Sequence, residues 1–542
     1  MKEVTGTYNE ALAVKCDNGT FVGHKLETGV TEYLGIPFAK PPVGDLRFRA
    51  PQKPEDSDKV FEADKFGPAP LQIERSLSEI DEDCLNLNVW VGSEVKENAP
   101  VMVWIHGGGF LVEAACDPLY TLKNLSDFAK DIVFVSLEYR LNLLGYVNLN
   151  NVPGGEDFAD AQNLGVLDQI AALEWVQRNI SGFGGDPSQV TIFGESAGSI
   201  SVFLLMICER AKGLFHRAIA ESACFNITDM EDHTLAVTEN FLTATGCKTV
   251  KELQALEKEP LMEALEKTAY MDLEAGLGYY NMPVFDGRIL PSSMEEAFRL
   301  MGERAGEIDL LTGSNADEVL YYAWEPTLTY DEYTELVKEA LELDKSIMGP
   351  EELKLLDQFM DTEIEEEAER IKNVKYYNGR EDMFRIVEFF NDYAFRAGSC
   401  LACDNHSAAG GKTYMYYMAY PPIDEGAGVM HAAELPFLMS RPYMNLAPSI
   451  ANATPEEEWP VDDFYSLDVE LTTVIKEMWA NFARTGDPST DKYPWPQYKE
   501  DDRNTMVFGE EIAVKKDILS KREDFLKPWI ATVLLQGFRQ FD

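Results

Sequence analysis

A pentapeptide with a serine at its centre carries the clearest chemical signal in the sequence. It reads GESAG over residues 194–198, after the apolar segment 190–193 and before a helix-compatible run. Between a strand and a helix, a serine can lie on a tight, strained turn that exposes its hydroxyl. Gly194 and Gly198 fit such a turn because a side chain at either position would collide with the neighbouring strand or helix. A chance match in an ordinary turn would lack these flanking elements, so Ser196 is the candidate nucleophile of an acyl transfer.

A glycine-rich segment upstream supplies candidate hydrogen-bond donors. HGGG occupies residues 106–109, directly after the strand candidate Val101–Ile105. Glycines let the backbone approach a substrate closely, and the oxyanion formed in acyl transfer needs several N–H donors directed at one point. Hydrolases with a serine on a strand–helix turn take one donor from an early loop and another from the residue after the serine. This position favours an oxyanion hole formed by the N–H groups of Gly108, Gly109 and Ala197 over a flexible surface loop.

A serine nucleophile needs a base, and the sequence offers only six histidines. His431 lies in the glycine-containing segment 425–435, just beyond the strand candidate Thr413–Tyr417. A loop after a late strand is a suitable position for a general base. The remaining histidines are His24, His106, His216, His233 and His406. Elimination and position favour His431 as the base over the alternative of a packed structural residue.

The acid that orients the base is expected between Ser196 and His431 along the chain. The strand candidate Asp309–Thr312 is followed by a polar turn that contains Asp317 and Glu318. Because the chain has 94 acidic residues, the position after a strand, and not the carboxylate itself, points to this pair. From the residues alone, either carboxylate can orient an imidazole.

Short apolar runs alternate with longer helical stretches along the chain, which is typical of an α/β fold. The strand candidates are Val101–Ile105, Ile132–Leu137, Val190–Phe193, Arg217–Ala220, Asp309–Thr312 and Thr413–Tyr417. Several are apolar without alternation, as expected for strands covered on both faces of a sheet. Segments 165–179 and 197–208 are helix candidates, and the acidic stretches 328–373 and 454–480 are predicted to be helical insertions or flanking elements.

Charge and composition exclude several classes of protein. With 94 Asp and Glu against 47 Lys and Arg, the formal net charge is -47, and 45% of the residues are hydrophobic. Such a chain lacks the positive field that binds nucleic acid or anionic membranes, and it has enough apolar residues for a large core. The sequence contains no recognisable signal peptide and no apolar run of about 20 residues, so we expect a cytoplasmic location.

The cysteines follow neither a disulfide framework nor a metal-binding pattern. Eight are scattered over the chain, and Cys400 and Cys403 form a lone CxxC with His406 nearby. A structural zinc site of this type would need a second cysteine pair, so packing within a helix is the favoured interpretation. We expect no metal and no organic cofactor.

Several short blocks of sequence, spread nearly from end to end of the chain, carry a resemblance to a known family. They lie at residues 33–39, 41–48, 82–89, 163–169, 183–187, 194–198, 283–287 and 479–486. With these blocks the sequence resembles the type-B carboxylesterases, the cholinesterase-like branch of the α/β-hydrolases that includes bacterial para-nitrobenzyl esterases. The resemblance implies a single α/β-hydrolase domain over residues 1–542, with a large, mostly parallel twisted sheet flanked by helices. It also implies helical insertions near residues 328–410 around an active-site gorge.

The resemblance narrows the choice of catalytic residues. It implies Ser196 as nucleophile, Glu318 as triad acid and His431 as base, because this family uses a glutamate as the acid. The family sequence Asp-Glu-Gly reads Asp317, Glu318 and Val319 here. The departure removes a glycine after the acid but retains the carboxylate.

Two cysteines lack the partners that secreted members of the family provide. Pro70 stands where the partner of Cys84 would be, and Ala255 or a neighbour stands where the partner of Cys247 would be. The lost bridges favour a reducing, bacterial cytoplasm. The loop before Cys84 also lacks the tryptophan with which cholinesterases hold a quaternary ammonium, which argues against a choline-specific enzyme.

Two further sets of side chains are expected to support the site, and the resemblance implies only the first of them. Two ion pairs are implied to be structural, Arg47 with Glu82 and Arg140 with Asp168. The side chains suggested to line a substrate pocket are Phe110, Leu111, Glu195, Tyr279, Tyr280, Phe389 and Phe390.

The sequence therefore predicts a serine hydrolase that cleaves carboxylic esters through an acyl-enzyme, with broad specificity for neutral or apolar small-molecule esters. Amide, carbamate or thioester cleavage on the same triad is the first alternative, because the triad chemistry is shared. A non-catalytic binding protein of the same fold is the second, although all triad positions are filled. The oligomeric state remains open.

Overall fold

The computed structural model describes residues 1–73, 79–223, 231–274, 282–321, 388, 391–421, 428–440, 468–518, 524 and 526. The chain divides into two compact units. The first comprises Met1–Ala220, Ile227–Asp309 and Trp479–Pro488, and the second comprises Glu221–Asn226, Leu310–Met478 and Ser489–Asp542. The single domain over residues 1–542 stays a prediction, and most of the insertion expected near 328–410 lies outside the described residues.

The first unit contains the strands from the N-terminal half of the chain. They are β1 (Lys2–Glu3), β2 (Ala13–Cys16), β3 (Gly19–Val22), β4 (His24–Lys25), β5 (Thr31–Pro37), β6 (Val60–Glu62), β7 (Asn86–Val91), β8 (Ala99–Ile105), β9 (Val133–Leu137), β10 (Gly185–Glu195) and β11 (Arg217–Glu221). The last residue of β11 is assigned to the second unit.

These strands form two sheets. A small sheet has the order β1-β6-β3-β2, and the other strands follow the order β11-β10-β8-β9-β7-β5-β4. Within the larger sheet, β10, β8 and β9 pair in parallel, whereas β9, β7, β5 and β4 pair antiparallel. All residues of β9 are buried, as expected for an apolar strand in the parallel part of a covered sheet.

The helices of the first unit connect these strands. They are α1 (Lys123–Phe128), α2 (Asn142–Gly145), α3 (Leu164–Asn179), α4 (Ala197–Ile207), α5 (Glu231–Thr245), α6 (Val250–Gln254), α7 (Lys258–Glu274) and α8 (Met294–Arg304). Every residue of α4 is buried, because its sequence is apolar on all sides. In contrast, α8 buries only one face and begins at Ser293, whose hydroxyl accepts a hydrogen bond from the backbone N–H of Glu296, a typical N-cap.

The second unit contains the remaining described strands and helices. The strands are β12 (Asp309–Asn315), β13 (Thr413–Met418), β14 (Asn504–Phe508) and β15 (Ile512–Lys516), and the helices are α9 (Ala397–Ala408), α10 (Leu435–Met439) and α11 (Val469–Thr485). The strand order is β15-β14-β13-β12. Strands β12, β13 and β14 are parallel, and β15 is antiparallel to β14. The division between the units falls within α11.

The structure confirms the six strand candidates and the helices predicted over 165–179 and 197–208, with differences of a few residues at their ends. The six strand candidates do not include β1 to β7, β14 and β15, and polar or turn-forming residues interrupt several of these strands, such as Gly35 in β5 and Asn88 in β7. The acidic stretch 328–373 lies outside the described residues, and of the stretch 454–480 the described part belongs to α11.

The described cysteines include the four that the sequence analysis singled out. Cys84 and Cys247 are both free thiols. Cys400 and Cys403 lie on α9 in a buried cluster with Met415 and Tyr498. Among the described residues, no helix is long and apolar enough to span a membrane.

Both predicted ion pairs are present and bidentate. The Arg47 guanidinium donates to Glu82 at 2.6 Å through Nε and 2.6 Å through Nη2. The Arg140 guanidinium donates to Asp168 at 2.7 Å through Nε and 2.7 Å through Nη2. Because Arg140 and Asp168 are buried, removing one partner leaves an uncompensated buried charge.

We expect Asp168→Asn to lower the free energy of unfolding by about 3–5 kcal/mol, because it leaves the buried Arg140 charge without its carboxylate partner. Urea denaturation measures this cost. The matched control is Arg299→Gln, which removes the exposed pair with Glu303 and should cost less than about 1 kcal/mol. Equal costs for the two variants would contradict a supporting role for the buried pair.

Candidate active site

Ser196 lies on the turn between β10 and α4. Its backbone has φ 56° and ψ −123°, a conformation that is rare and strained for a residue with a side chain. It is half-buried, whereas the other residues of the segment 194–198 are buried. The strained turn thus leaves the serine as the accessible residue of the motif, as a nucleophile requires.

Two glycines permit this turn because helix α4 passes very close to strand β8. A Cβ atom at Gly194 would lie 2.6 Å from the Ile105 carbonyl oxygen, and one at Gly198 would lie 2.1 Å from the same atom. Real Cβ contacts are longer than 3.0 Å. The predicted need for glycine at both positions is therefore confirmed.

The glycine loop after β8 lies against the serine. A Cβ atom at Gly107 would lie 3.3 Å from Cβ of Ser196. Gly108 has φ +83°, and a Cβ there would lie 2.2 Å from the carbonyl oxygen of Val112, so this position also requires glycine. Gly109 has open space around its Cβ position, and Gly108 and Gly109 are both half-exposed. The loop is thus accessible next to the serine.

Ala197 is the first residue of α4. The backbone N–H groups of a helix's first turn have no carbonyl partner within the helix and carry a partial positive charge. The Ser196 carbonyl already accepts hydrogen bonds from the N–H of Ile200 at 3.0 Å and from the hydroxyl of Ser199 at 2.6 Å. These contacts fix the start of the helix beside the serine.

In the second unit, Glu318 and His431 form a direct buried contact. Oε2 of Glu318 lies 2.7 Å from Nδ1 of His431, and Oε1 of Glu318 accepts a hydrogen bond of 2.6 Å from the N–H of Asn315. The neighbouring Asp317 instead accepts a hydrogen bond from the N–H of Val429 at 2.8 Å. Of the two candidate acids, Glu318 contacts the imidazole, and Asp317 holds the segment that leads to it.

A second buried carboxyl lies close to this pair. Glu434 accepts hydrogen bonds from the hydroxyls of Ser222 and Tyr416, at 3.2 and 2.9 Å, and from the Asn315 amide at 2.7 Å. Burial, and then the negative charge of Glu318, raises the pKa of Glu434. Asn315 therefore bridges both carboxyls, through its N–H and its side-chain amide. The sequence reasoning missed Asn315, whose position at the end of β12 is the signal that could have identified it.

The predicted pocket residues differ in how exposed they are. The structure places Phe110 in the core, where it has no exposed surface and packs edge-on against Tyr146 with ring centroids 5.3 Å apart. A fully enclosed ring does not line an open pocket, so the suggested role of Phe110 is wrong. Leu111 is half-exposed and Glu195 is buried beside Ser196. The other suggested pocket residues, Tyr279, Tyr280, Phe389 and Phe390, lie outside the described residues.

The predicted site residues are thus divided between the two units. Ser196, Ala197 and the glycine loop belong to the first unit, and Glu318 and His431 belong to the second. The ring of Phe395 lies 5.0 Å from that of His431, an aromatic contact that the sequence did not identify. Among the described residues, no cluster of His, Cys, Asp or Glu side chains could hold a metal ion.

Comparison with known proteins places the chain among esterases. A model of the carboxylesterase family matches residues 10–526. The chain belongs to this family. It is 31% identical over 512 residues to the para-nitrobenzyl esterase of Bacillus subtilis, an alignment that covers 93% of this chain and 96% of that enzyme. It is 32% identical over 521 residues to carboxylesterase 1F of Mus musculus, covering 89% and 86% of the two chains.

Solved structures agree with this placement. A thermophilic PNB esterase superposes with a TM-score of 0.76 at 30% identity, over 95% of this chain and 99% of that one. The α/β-hydrolase fold and the resemblance to type-B carboxylesterases are therefore confirmed. The protein is a serine hydrolase of carboxylic esters, as family membership implies.

We expect Gly198→Ala to disrupt the serine turn, because the added methyl would lie 2.1 Å from the Ile105 carbonyl oxygen. Displacing Ser196 by about 1 Å should lower ester hydrolysis by about 10²-fold, and the clash should cost about 1–3 kcal/mol of stability. Gly306→Ala is the control, since its Cβ position is open. Near-equal activities of the two variants would refute the steric argument.

Proposed function

We propose that Ser196 is the nucleophile of a catalytic triad completed by His431 and Glu318. His431 accepts the Ser196 proton as the serine oxygen attacks the acyl carbon, and then donates it to the leaving alcohol. An acyl-enzyme forms on Ser196, and water releases the acid by the reverse sequence. The contact of 2.7 Å between Glu318 and Nδ1 of His431 carries this proposal.

The acid fixes the imidazole in the tautomer that catalysis needs. A carboxylate only accepts hydrogen bonds, so Nδ1 of His431 carries the proton and Nε2 is left to act as the base. The N–H of Asn315 holds the other oxygen of Glu318, which fixes the carboxylate in turn. The same contact supports Glu318 rather than Asp317 as the triad acid.

The N–H groups of Gly108, Gly109 and Ala197 are proposed to bind the oxyanion. The accessible glycine loop next to Ser196 and the N-terminus of α4 support this assignment. One such donor contributes about 10²–10³-fold to the rate of acyl transfer. This contribution is possible only while the loop keeps its position, since a donor must reach the oxyanion and not the ground-state carbonyl.

We propose broad specificity for neutral or apolar small-molecule esters. The net charge of -47 disfavours anionic substrates at long range, although salt screens this effect beyond about 8–10 Å. The same charge argues against nucleic acid and anionic membranes as partners. The free thiols of Cys84 and Cys247 support a reducing, cytoplasmic location, and the Bacillus relative supports a bacterial source.

Ser196→Ala should lower the hydrolysis of p-nitrophenyl acetate by about 10⁴–10⁶-fold, because no other group in the proposed mechanism can take up the acyl group. Absorbance of released p-nitrophenol measures the rate. Parallel assays with an S-(p-nitrophenyl) thioester, a p-nitrophenyl carbamate and a p-nitroanilide test the thioester, carbamate and amide alternatives. A rate equal to that of the wild type would remove Ser196 from the mechanism, and an inactive wild type would favour the non-catalytic alternative.

Glu318→Gln and Asp317→Asn separate the two candidate acids. We expect Glu318→Gln to lower kcat by about 10⁴-fold, since an amide that donates to Nδ1 favours the wrong tautomer. Asp317→Asn should lower kcat by about tenfold or less, because it weakens the contact to the Val429 N–H but leaves Glu318 at Nδ1 of His431. Steady-state kinetics on p-nitrophenyl acetate decides between them, and an active Glu318→Gln beside an inactive Asp317→Asn would reverse the assignment.

A further inference from the structure

Two side chains that follow strand β9, Glu138 and Tyr139, face the oxyanion loop, which we define as residues 106–109. The Tyr139 hydroxyl donates to the carbonyl oxygen of His106 at 2.8 Å and lies 3.4 Å from that of Gly107. The Tyr139 ring stacks on the His106 imidazole, with centroids 4.4 Å apart. Glu138 precedes Tyr139 and is also fully buried. The end of β9 thus restrains the loop that presents the oxyanion donors.

Glu138 and His106 form a buried pair with an unused hydrogen-bonding capacity. Oε2 of Glu138 and Nε2 of His106 face each other at 3.6 Å, and neither atom has a hydrogen-bond partner among the described residues. Oε1 of Glu138 accepts a hydrogen bond from the N–H of Cys116. Nδ1 of His106 lies 3.1 Å from the Gly107 carbonyl. Since a carbonyl only accepts, Nδ1 carries the ring proton and Nε2 bears a lone pair.

Burial determines the charge of both groups. It lowers the pKa of His106 to about 3 and raises the pKa of Glu138 to about 8. Near neutral pH the imidazole is therefore uncharged and the carboxyl retains its proton. A protonated Oε2 opposite the lone pair of Nε2 is a complementary arrangement, and it is lost when the carboxyl ionises.

The other ionisable groups around Glu138 do not titrate in the same range. Burial raises the pKa of the Cys84 and Cys116 thiols and of the Tyr139 hydroxyl above their ordinary values. The charge of Asp117 adds to the upward shift in the pKa of Glu138. As the pH rises above neutrality, Glu138 is the first member of this cluster to lose its proton.

We propose that Glu138 and Tyr139 are positioning residues for the oxyanion loop, and that the proton on Glu138 keeps the loop in its working geometry. This inference rests on the proposed function, which assigns the oxyanion donors to Gly108 and Gly109. Neither positioning residue touches the substrate. Each acts through the backbone of the loop, Tyr139 through its hydroxyl and Glu138 through the imidazole of His106.

Loss of the proton on Glu138 changes the hydrogen bonding of the loop. Hydroxide takes the proton and becomes water, which leaves a buried carboxylate that needs a donor. The neutral imidazole of His106 has a single N–H. Moving that proton from Nδ1 to Nε2 supplies the carboxylate but withdraws the donor from the Gly107 carbonyl. The loop then loses one restraint, and its oxyanion donors lose their fixed position.

We expect kcat to fall at alkaline pH while KM stays constant, because the loop donors act in the transition state and not in ground-state binding. If the deprotonated form is inactive, one group with a pKa of about 8 lowers kcat about tenfold between about pH 7 and about pH 9. Initial rates of p-nitrophenyl acetate hydrolysis, corrected for spontaneous hydrolysis, measure this decline. A wild-type kcat that stays level across this range would overturn the proposal.

Glu138→Gln tests the origin of the decline. Its amide N–H can donate to Nε2 of His106 at every pH, so kcat at about pH 9 should lie within about twofold of kcat at about pH 7. Asp272→Asn is the matched control, since it replaces another buried carboxyl of raised pKa, on helix α7, and should retain the tenfold decline. Tyr139→Phe should lower kcat without raising KM. A decline that persists in Glu138→Gln, or a Tyr139→Phe effect confined to KM, would contradict the proposal.

Tautomer spectroscopy on the wild type provides a readout that does not depend on a variant folding. In ¹⁵N-histidine-labelled protein with six histidines, one imidazole should change from the Nδ1–H to the Nε2–H form between about pH 7 and about pH 9. No change at any ring would overturn the proposal. Ser196→Ala, assayed in parallel, separates the two hypotheses. An active Ser196→Ala refutes the proposed function. An inactive Ser196→Ala, together with a pH profile of Glu138→Gln that equals the profile of the wild type, refutes only the role of Glu138.

Discussion

The close approach of helix α4 to strand β8 is the constraint on which the candidate nucleophile depends. The Ile105 carbonyl oxygen leaves no room for a Cβ atom at Gly194 or Gly198, so the chain must reverse within the few residues around Ser196. The strained backbone of Ser196 follows from that reversal. Because the oxyanion loop continues directly from β8, the same backbone contact fixes the position of the loop relative to the serine.

Buried carboxyls recur around the candidate catalytic groups, although the chain already carries a net charge of -47. Glu318 is held by the N–H of Asn315 and by His431, and Glu434 is held by neutral donors. Glu138 instead keeps its proton up to a pKa of about 8. These three carboxyls are therefore kept buried in two ways, by hydrogen-bond donors or by retention of the proton, and the two ways differ in how they respond to pH.

Most of the fold and the main residues of the candidate site could be predicted from the sequence, because their signals are local. Gly194 and Gly198 predict the turn because a side chain at either position would clash with a neighbouring element. The parallel strands are recognisable as short apolar runs. The contacts of Asn315 and Tyr139 could not be predicted, since each depends on which backbone atoms the tertiary fold brings within reach. The assignment of Phe110 to the pocket failed because it also depends on tertiary packing. An aromatic ring beside a glycine loop can face a pocket or the core, and the contact with Tyr146 shows that this ring faces the core.

The central claim is that this chain cleaves esters through a covalent acyl group on Ser196. Rapid mixing with a slowly deacylating p-nitrophenyl ester tests it most directly. The release of p-nitrophenol is followed over time, and the quenched protein is analysed by mass spectrometry. We expect an initial burst of about one p-nitrophenol per chain and an acyl group on the peptide that contains Ser196. Full steady-state activity on this ester with no burst and no modified peptide would contradict it.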